Sequence, residues 1–242
     1  VTITIGAASL ARLLTDLLDT AGAGIRLDSH RAEIGDEPGQ RDVLAGFSST
    51  GFVMGHTWAE CIGDGPSTVW PVDAAVIVVG ICKALNNKSD IATVDILAET
   101  APPPENPVEG EHPGWTVTVR ETPALFDSDT VFEFHAKHAS VIREEQVWNI
   151  FTEAPELADP QHVDSAQTAW SVNALAPLLR IVKRRCTSKH SEQLRLFRAS
   201  DRSIHLAQIG DDWLGAAVPV KVVPPEERPS IEPLLPVKVL DA

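Results

Sequence analysis

One phrase in this chain is written twice, and it narrows the possible folds more than any other feature. Thr68-Val-Trp70-Pro-Val72-Asp73-Ala74 is answered by Thr168-Ala-Trp170-Ser-Val172-Asn173-Ala174. Thr, Trp, Val and Ala recur in register, and Asn173 stands where the first copy has Asp73. Each phrase runs into an apolar stretch that ends in cations: Lys83 and Lys88 after the first, Arg180, Lys183, Arg184 and Arg185 after the second. Both copies read as a short strand ending at Val72 or Val172, an Asx residue capping a helix, and a basic helix C-terminus that suits the macrodipole. Repetition of this kind predicts two copies of one supersecondary unit.

The surrounding chain fits such a unit. Val1–Ile5 alternates as a strand does. Leu10, Leu13, Leu14, Leu17 and Leu18 then mark the dry side of a helix over Ala7–Ala21, with Ser9, Arg12, Asp16 and Asp19 on its wet face and Gly22 and Gly24 stopping it. Strands are expected at Gly24–Ile34, Asp42–Ser49, Phe52–Cys61 and Ser67–Val72, and a helix at Asp73–Asn87, where β-branched residues keep a buried strand as the alternative. Ile91–Glu99 and Gly114–Glu121 read as a hairpin around the Pro-rich Ala101–Pro113, and Thr130–Phe134 as a further strand. Ser140–Ala154 reads as a helix. After the repeated phrase come strands at Gln193–Ala199, Ser203–Ile209 and Trp213–Val222, then a Pro-rich tail. Strict βαβ alternation is missing, so the expected class is α+β, with helices segregated from antiparallel sheet. The expected domains are 1–128, an abbreviated 129–222, and the tail 223–242.

Charge is distributed unevenly. The net charge is −14, which argues against a generic nucleic-acid binder. Yet Asn173–Arg202 holds eight basic and two acidic residues, whereas the remainder holds 12 basic and 32 acidic. A locally cationic segment therefore sits inside an anionic protein. Three scattered cysteines without a CxxC pair fit a reducing, cytoplasmic setting. The longest apolar run, Ala74 to Cys82, is too short to span a bilayer, and the N-terminus lacks a signal-peptide pattern. No HExxH, Walker or GxSxG motif occurs, so no metal, cofactor or catalytic residue is expected.

A strand–helix–strands–helix–strands unit, repeated in an acidic chain of 242 residues, resembles a DNA sliding clamp. Leu194-Arg-Leu-Phe-Arg-Ala-Ser-Asp201, Ser203-Ile-His-Leu-Ala-Gln-Ile-Gly210 and Trp213-Leu-Gly-Ala-Ala-Val-Pro-Val-Lys221 are similar to the last three strands of a bacterial clamp. The resemblance implies a ring with helices inside and sheets outside, and no enzymatic activity. A two-domain chain implies a homotrimer, as in phage and eukaryotic clamps, and so a phage-type ring. It further implies duplex DNA as a partner, gripped through its backbone without sequence reading, together with a polymerase and a clamp loader. Arg180, Lys183, Arg184, Arg185, Lys83, Lys88 and Arg12 are the expected DNA-facing residues. Val218, Pro219 and Val220 match the family's terminal phrase, which helps line the pocket for polymerase peptides. The competing readings are a structural or scaffold protein without a tethering role, and a hydrolase whose residues converge only in three dimensions.

Overall fold

The computed structural model describes residues 2–33, 39–102, 112–122, 130–142, 167–187, 192–198, 204–219 and 221–223. The chain runs β1 (Thr2–Gly6), α1 (Ala7–Leu18), β2 (Ile25–Glu33), β3 (Gln40–Ser49), β4 (Val53–Glu60), β5 (Thr68–Trp70), α2 (Val72–Lys88), β6 (Thr93–Thr100), β7 (Trp115–Glu121) and β8 (Val131–His138). One 3-10 turn at Ala139–Val141 follows. Then come β9 (Gln167–Ala169), α3 (Val172–Arg185), β10 (Leu194–Arg198), β11 (His205–Ile209), β12 (Trp213–Ala217) and β13 (Lys221–Val223).

The leucine period does what it should. Leu10, Leu13, Leu14 and Leu17 are buried, and they share one core with Ile25, Leu27 and Leu44 of the sheet and with Ala75, Val78, Val79, Cys82 and Leu85 of α2. Close approach of α1 to the sheet depends on Gly46, because a Cβ there would run into the Leu17 side chain. The stretch over 73–87 is a helix, long enough at 17 residues to bury one side and leave Val76 and Ile77 exposed on the other. Helix capping departs from the expectation. Neither Asx residue is the cap: α2 starts at Val72 behind Pro71, and the Asp73 carboxylate accepts from the next residue's N–H instead. In the second copy the cap is Ser171, whose Oγ accepts from Ala174 N–H at 3.2 Å. Both helices nonetheless begin at the Val of the repeated phrase, so the echo holds at the level of secondary structure.

Eleven strands form one sheet, ordered β1-β6-β7-β8-β5-β2-β3-β4-β12-β11-β10. All its ladders are antiparallel. The expected hairpin is present, with Val94 opposite Glu121 and Thr100 opposite Trp115. At the β4–β12 seam the two halves of the chain join, with Gly215 opposite Gly55 and Ala217 opposite Val53. Side-chain alternation gives this seam two dry faces. On the helix side, Ala174, Leu178 and Ile181 of α3 pack on Val53, Ala207, Ile209, Trp213 and Ala217. On the other side lie Phe47, Leu206 and Ala216, with Met54, Leu214, Phe197, Ile204 and Ile142.

The strand expected over Trp213–Val222 is interrupted. β12 stops at Ala217, and Pro219 has no N–H to offer a ladder. The chain resumes as β13, which pairs with β9 just ahead of α3. Most of the helix expected over Ser140–Ala154, and the Pro-rich tail, lie outside the described residues.

Candidate nucleic-acid interface and partner groove

Among the described residues, α1 lies between the other two helices. It packs against α2 through the apolar core, and it meets α3 through charge. Asp16 of α1 is fully buried, a correction to its expected place on the wet face. Its Oδ1 accepts from Arg184 Nη1 at 2.6 Å, and its Oδ2 accepts from Arg185 Nη2 at 2.7 Å and Nε at 3.0 Å. Asp19, capping the C-terminus of α1, accepts from Arg180 Nε at 2.8 Å and from Arg184 Nη2. Asp212, in the turn between β11 and β12, accepts from Arg185 Nη1 and from Arg12 Nη2, the latter at 2.5 Å. Four arginines and three aspartates thus join the two halves of the chain.

At Arg184 and Arg185 the surroundings favour the ionised state. Burial works against both the Arg184 and Arg185 charges. Hydrogen bonds and proximity to Asp19 and Asp16 for Arg184, and to Asp16 and Asp212 for Arg185, outweigh it. Both guanidinium pKa values are therefore held above their ordinary value. With its carboxylates engaged from several nitrogens at once, the network has the forked geometry in which charge-assisted bonds are strongest.

The expected DNA-facing residues fall into two groups. Arg180, Arg184, Arg185 and Arg12 are engaged by the three aspartates. Lys183 on α3, and Lys83 and Lys88 on α2, are exposed and ion-pair with none of the described residues. Arg180, Lys183 and Arg184 do share a helix face, as their i, i+3, i+4 spacing requires.

At the seam, two apolar side chains are exposed at the ends of neighbouring strands. Val218 N–H donates to Phe52 C=O at 2.8 Å, tying the chain leaving β12 to the residue ahead of β4. Phe52 is 66% exposed and Val218 36%, whereas Pro219 is buried. Val220 lies outside the described residues. His56 stacks on Phe47 at 4.3 Å between ring centroids. Burial, the largest influence, lowers its pKa to about 4 against the opposing pull of the Gly46 carbonyl. Among the described residues no group of three or more His, Cys, Asp or Glu side chains could hold a metal. No described helix is long and apolar enough to cross a membrane.

Sequence reasoning missed Asp16, Asp19 and Asp212 as partners of the basic helix end, and Phe52 as the exposed neighbour of Val218. Phe52 had a local signal, an aromatic residue directly after the Ser49-Thr50-Gly51 turn. The aspartates had none, since their partners are 161 to 169 positions away for α1.

This architecture, an antiparallel sheet layer with helices gathered on one side, is that of DNA sliding clamps. The chain superposes on the sliding clamp of Bacillus subtilis with a TM-score of 0.57 and 11% identity, covering 98% of this chain and 68% of that one. The DNA polymerase III beta subunit of Pseudomonas aeruginosa gives the same figures. The sliding clamp of Bartonella birtlesii gives a TM-score of 0.59 at 8% identity, over 98% of this chain and 66% of that one. The likeness is one of fold, and the chain spans about two thirds of these bacterial clamps. No protein-family model matches the sequence, and no curated protein matches it.

Proposed function

We propose that this chain is a processivity clamp that encircles duplex DNA and docks polymerase peptides, with no catalysis of its own. The supporting observation is the clamp fold along nearly the whole chain, with a cationic helix end beside the α1–α2 layer. Arg180, Lys183, Arg184, Lys83, Lys88 and Arg12 face the phosphates, with Arg185 behind them. Phe52, Val218, Pro219 and Val220 hold an apolar peptide from the polymerase or its loader. Division of the chain near residue 128, with a Pro-rich tail from 223, belongs to the same proposal, with one adjustment. β8 pairs with β7 and β5, so it completes the first unit. Copies assemble as a phage-type trimer in the cytoplasm.

The experiment is retention on DNA topology. Loaded on nicked circular duplex, the protein stays bound through a gel-filtration column in 150 mM salt and leaves when the circle is cut. Equal loss from circle and linear duplex refutes the encircling role. Light scattering reads the assembly, with a trimer at three times the 26.1 kDa chain mass.

A second reading, a scaffold or virion component, is favoured by one observation. The arginines expected to grip DNA are engaged by aspartates of the same chain. It predicts no difference between circular and linear DNA.

A further inference from the structure

The three arginines of α3 are held in three different ways. Arg185 is 8% exposed and uses Nε and Nη2 on Asp16 and Nη1 on Asp212, so it belongs to the interior. Arg184 is one-third exposed and divides its fork between Asp16 and Asp19. Arg180 is more than half exposed and gives only Nε, to Asp19. Its two outer nitrogens are uncommitted among the described residues.

Asp19 itself stands where local electrostatics disfavour an anion. It caps the C-terminal end of α1, which carries the negative end of the helix dipole, and the last turn of α1 has no basic residue. Nothing in its own helix compensates the charge. Among the described residues the compensation comes from Arg180 and Arg184, across the helix boundary. A carboxylate placed against local preference and answered only by two partly exposed forks marks a functional compromise.

We infer that Asp19 sets how strongly this face grips nucleic acid, by competing with duplex phosphates for Arg180 and Arg184. This rests on the reading of the helix layer as the DNA-facing surface. A phosphate diester presents the same pair of anionic oxygens as a carboxylate, and a guanidinium binds either in the same forked manner. While Asp19 is ionised, each shared fork offers a phosphate only part of its charge. Fewer counterions are then released per complex, and the ring grips loosely enough to slide. Arg185 takes no part in this, because the fork that Asp16 and Asp212 hold together is shielded from solvent, while Asp16 keeps one nitrogen of Arg184 whatever Asp19 does.

The test is the salt dependence of duplex binding. Affinity of the full-length protein for a linear duplex of about 30 base pairs is measured by fluorescence anisotropy between 50 and 200 mM NaCl. Asp19→Asn keeps an oxygen for Arg180 Nε and removes the competing charge. Its log K against log salt is steeper than wild type, by at most about 0.9 for each of the two forks it shares. Glu99→Gln, an equal charge change on the exposed end of β6, leaves the slope unchanged. Arg180→Gln makes the slope shallower by less than about 0.9, the part of that fork which Asp19 leaves free. The inference is overturned if Asp19→Asn tracks Glu99→Gln, if it shows no duplex binding at 50 mM, or if Arg180→Gln keeps the wild-type slope. Should Asp19→Asn melt before the others, Arg180→Gln decides alone. Wild-type retention on circular DNA separates the two ideas. Retention with unchanged slopes removes only the role of Asp19, whereas no retention removes the clamp itself.

Discussion

Asp16→Asn is the sharpest probe of how the two halves of the chain hold together. The substitution preserves volume and leaves an oxygen to accept one hydrogen bond. It removes the charge that neutralises Arg185, whose side chain is 8% exposed, and half of the compensation for Arg184. Asp212 remains, but it is shared with Arg12. Breaking a buried ion pair on one side costs about 3–5 kcal/mol, most of it the uncompensated partner charge. For a chain of this size each kcal/mol moves the melting temperature by about 2–4 °C, so a fall of roughly 6–20 °C is expected by calorimetry. The loss is concentrated in α3, β11 and β12, where amide hydrogen exchange speeds up first. Salt changes it little, because buried pairs are poorly screened. Replacing both partners, Asp16→Leu with Arg185→Met, recovers much of the loss, since removing the pair also removes its desolvation cost. A shift under about 2 °C for Asp16→Asn would refute the buried network as the joint. So would a double variant as unstable as Asp16→Asn.

Two further outcomes follow from the seam and its outer face. His56 is lowered to about 4 in the folded protein, against 6.5 unfolded, so the unfolded chain binds more protons between those values. Its contribution is complete above pH 6.5 and is lost as pH falls toward 4, by about 3 kcal/mol at most. His56→Leu flattens that part of the stability curve in urea titrations, and an unchanged curve would count against the buried neutral imidazole. At Gly55, a Cβ would sit 2.8 Å from Thr20 Oγ1 and 3.0 Å from the Trp213 ring. Gly55→Val therefore costs about 1–3 kcal/mol in denaturant, with a red-shifted tryptophan emission as Trp213 leaves the core.

Several features were legible before any coordinates. The repeated phrase marked where two helices begin, because Trp-x-Val between a short strand and an apolar run is a local instruction. The leucine spacing of α1 identified its buried side correctly, and period-two alternation found β6, β7 and β11 within a residue or two. The caps lie two positions ahead of the expected ones, because Asp73 and Asn173 carry the cap chemistry while backbone geometry seats Pro71 and Ser171 in the cap positions. Phe52 reads from sequence only as the start of a strand, and its link to Val218, whose N–H donates to the Phe52 carbonyl from 166 positions away, comes from the fold.

What the sequence determines by itself is whatever acts within a few residues: the periods of helix and strand, the turn positions, and the duplicated strand-to-helix phrase. What tertiary structure alone decides is the fate of charge. Asp16 and Asp19 look solvated along α1, and Arg184 and Arg185 look available along α3, until the β4–β12 ladder brings the two helices together. Ion pairs depend on distance through space, and distances across more than 160 residues of chain exist only once the sheet has closed the gap between its two halves.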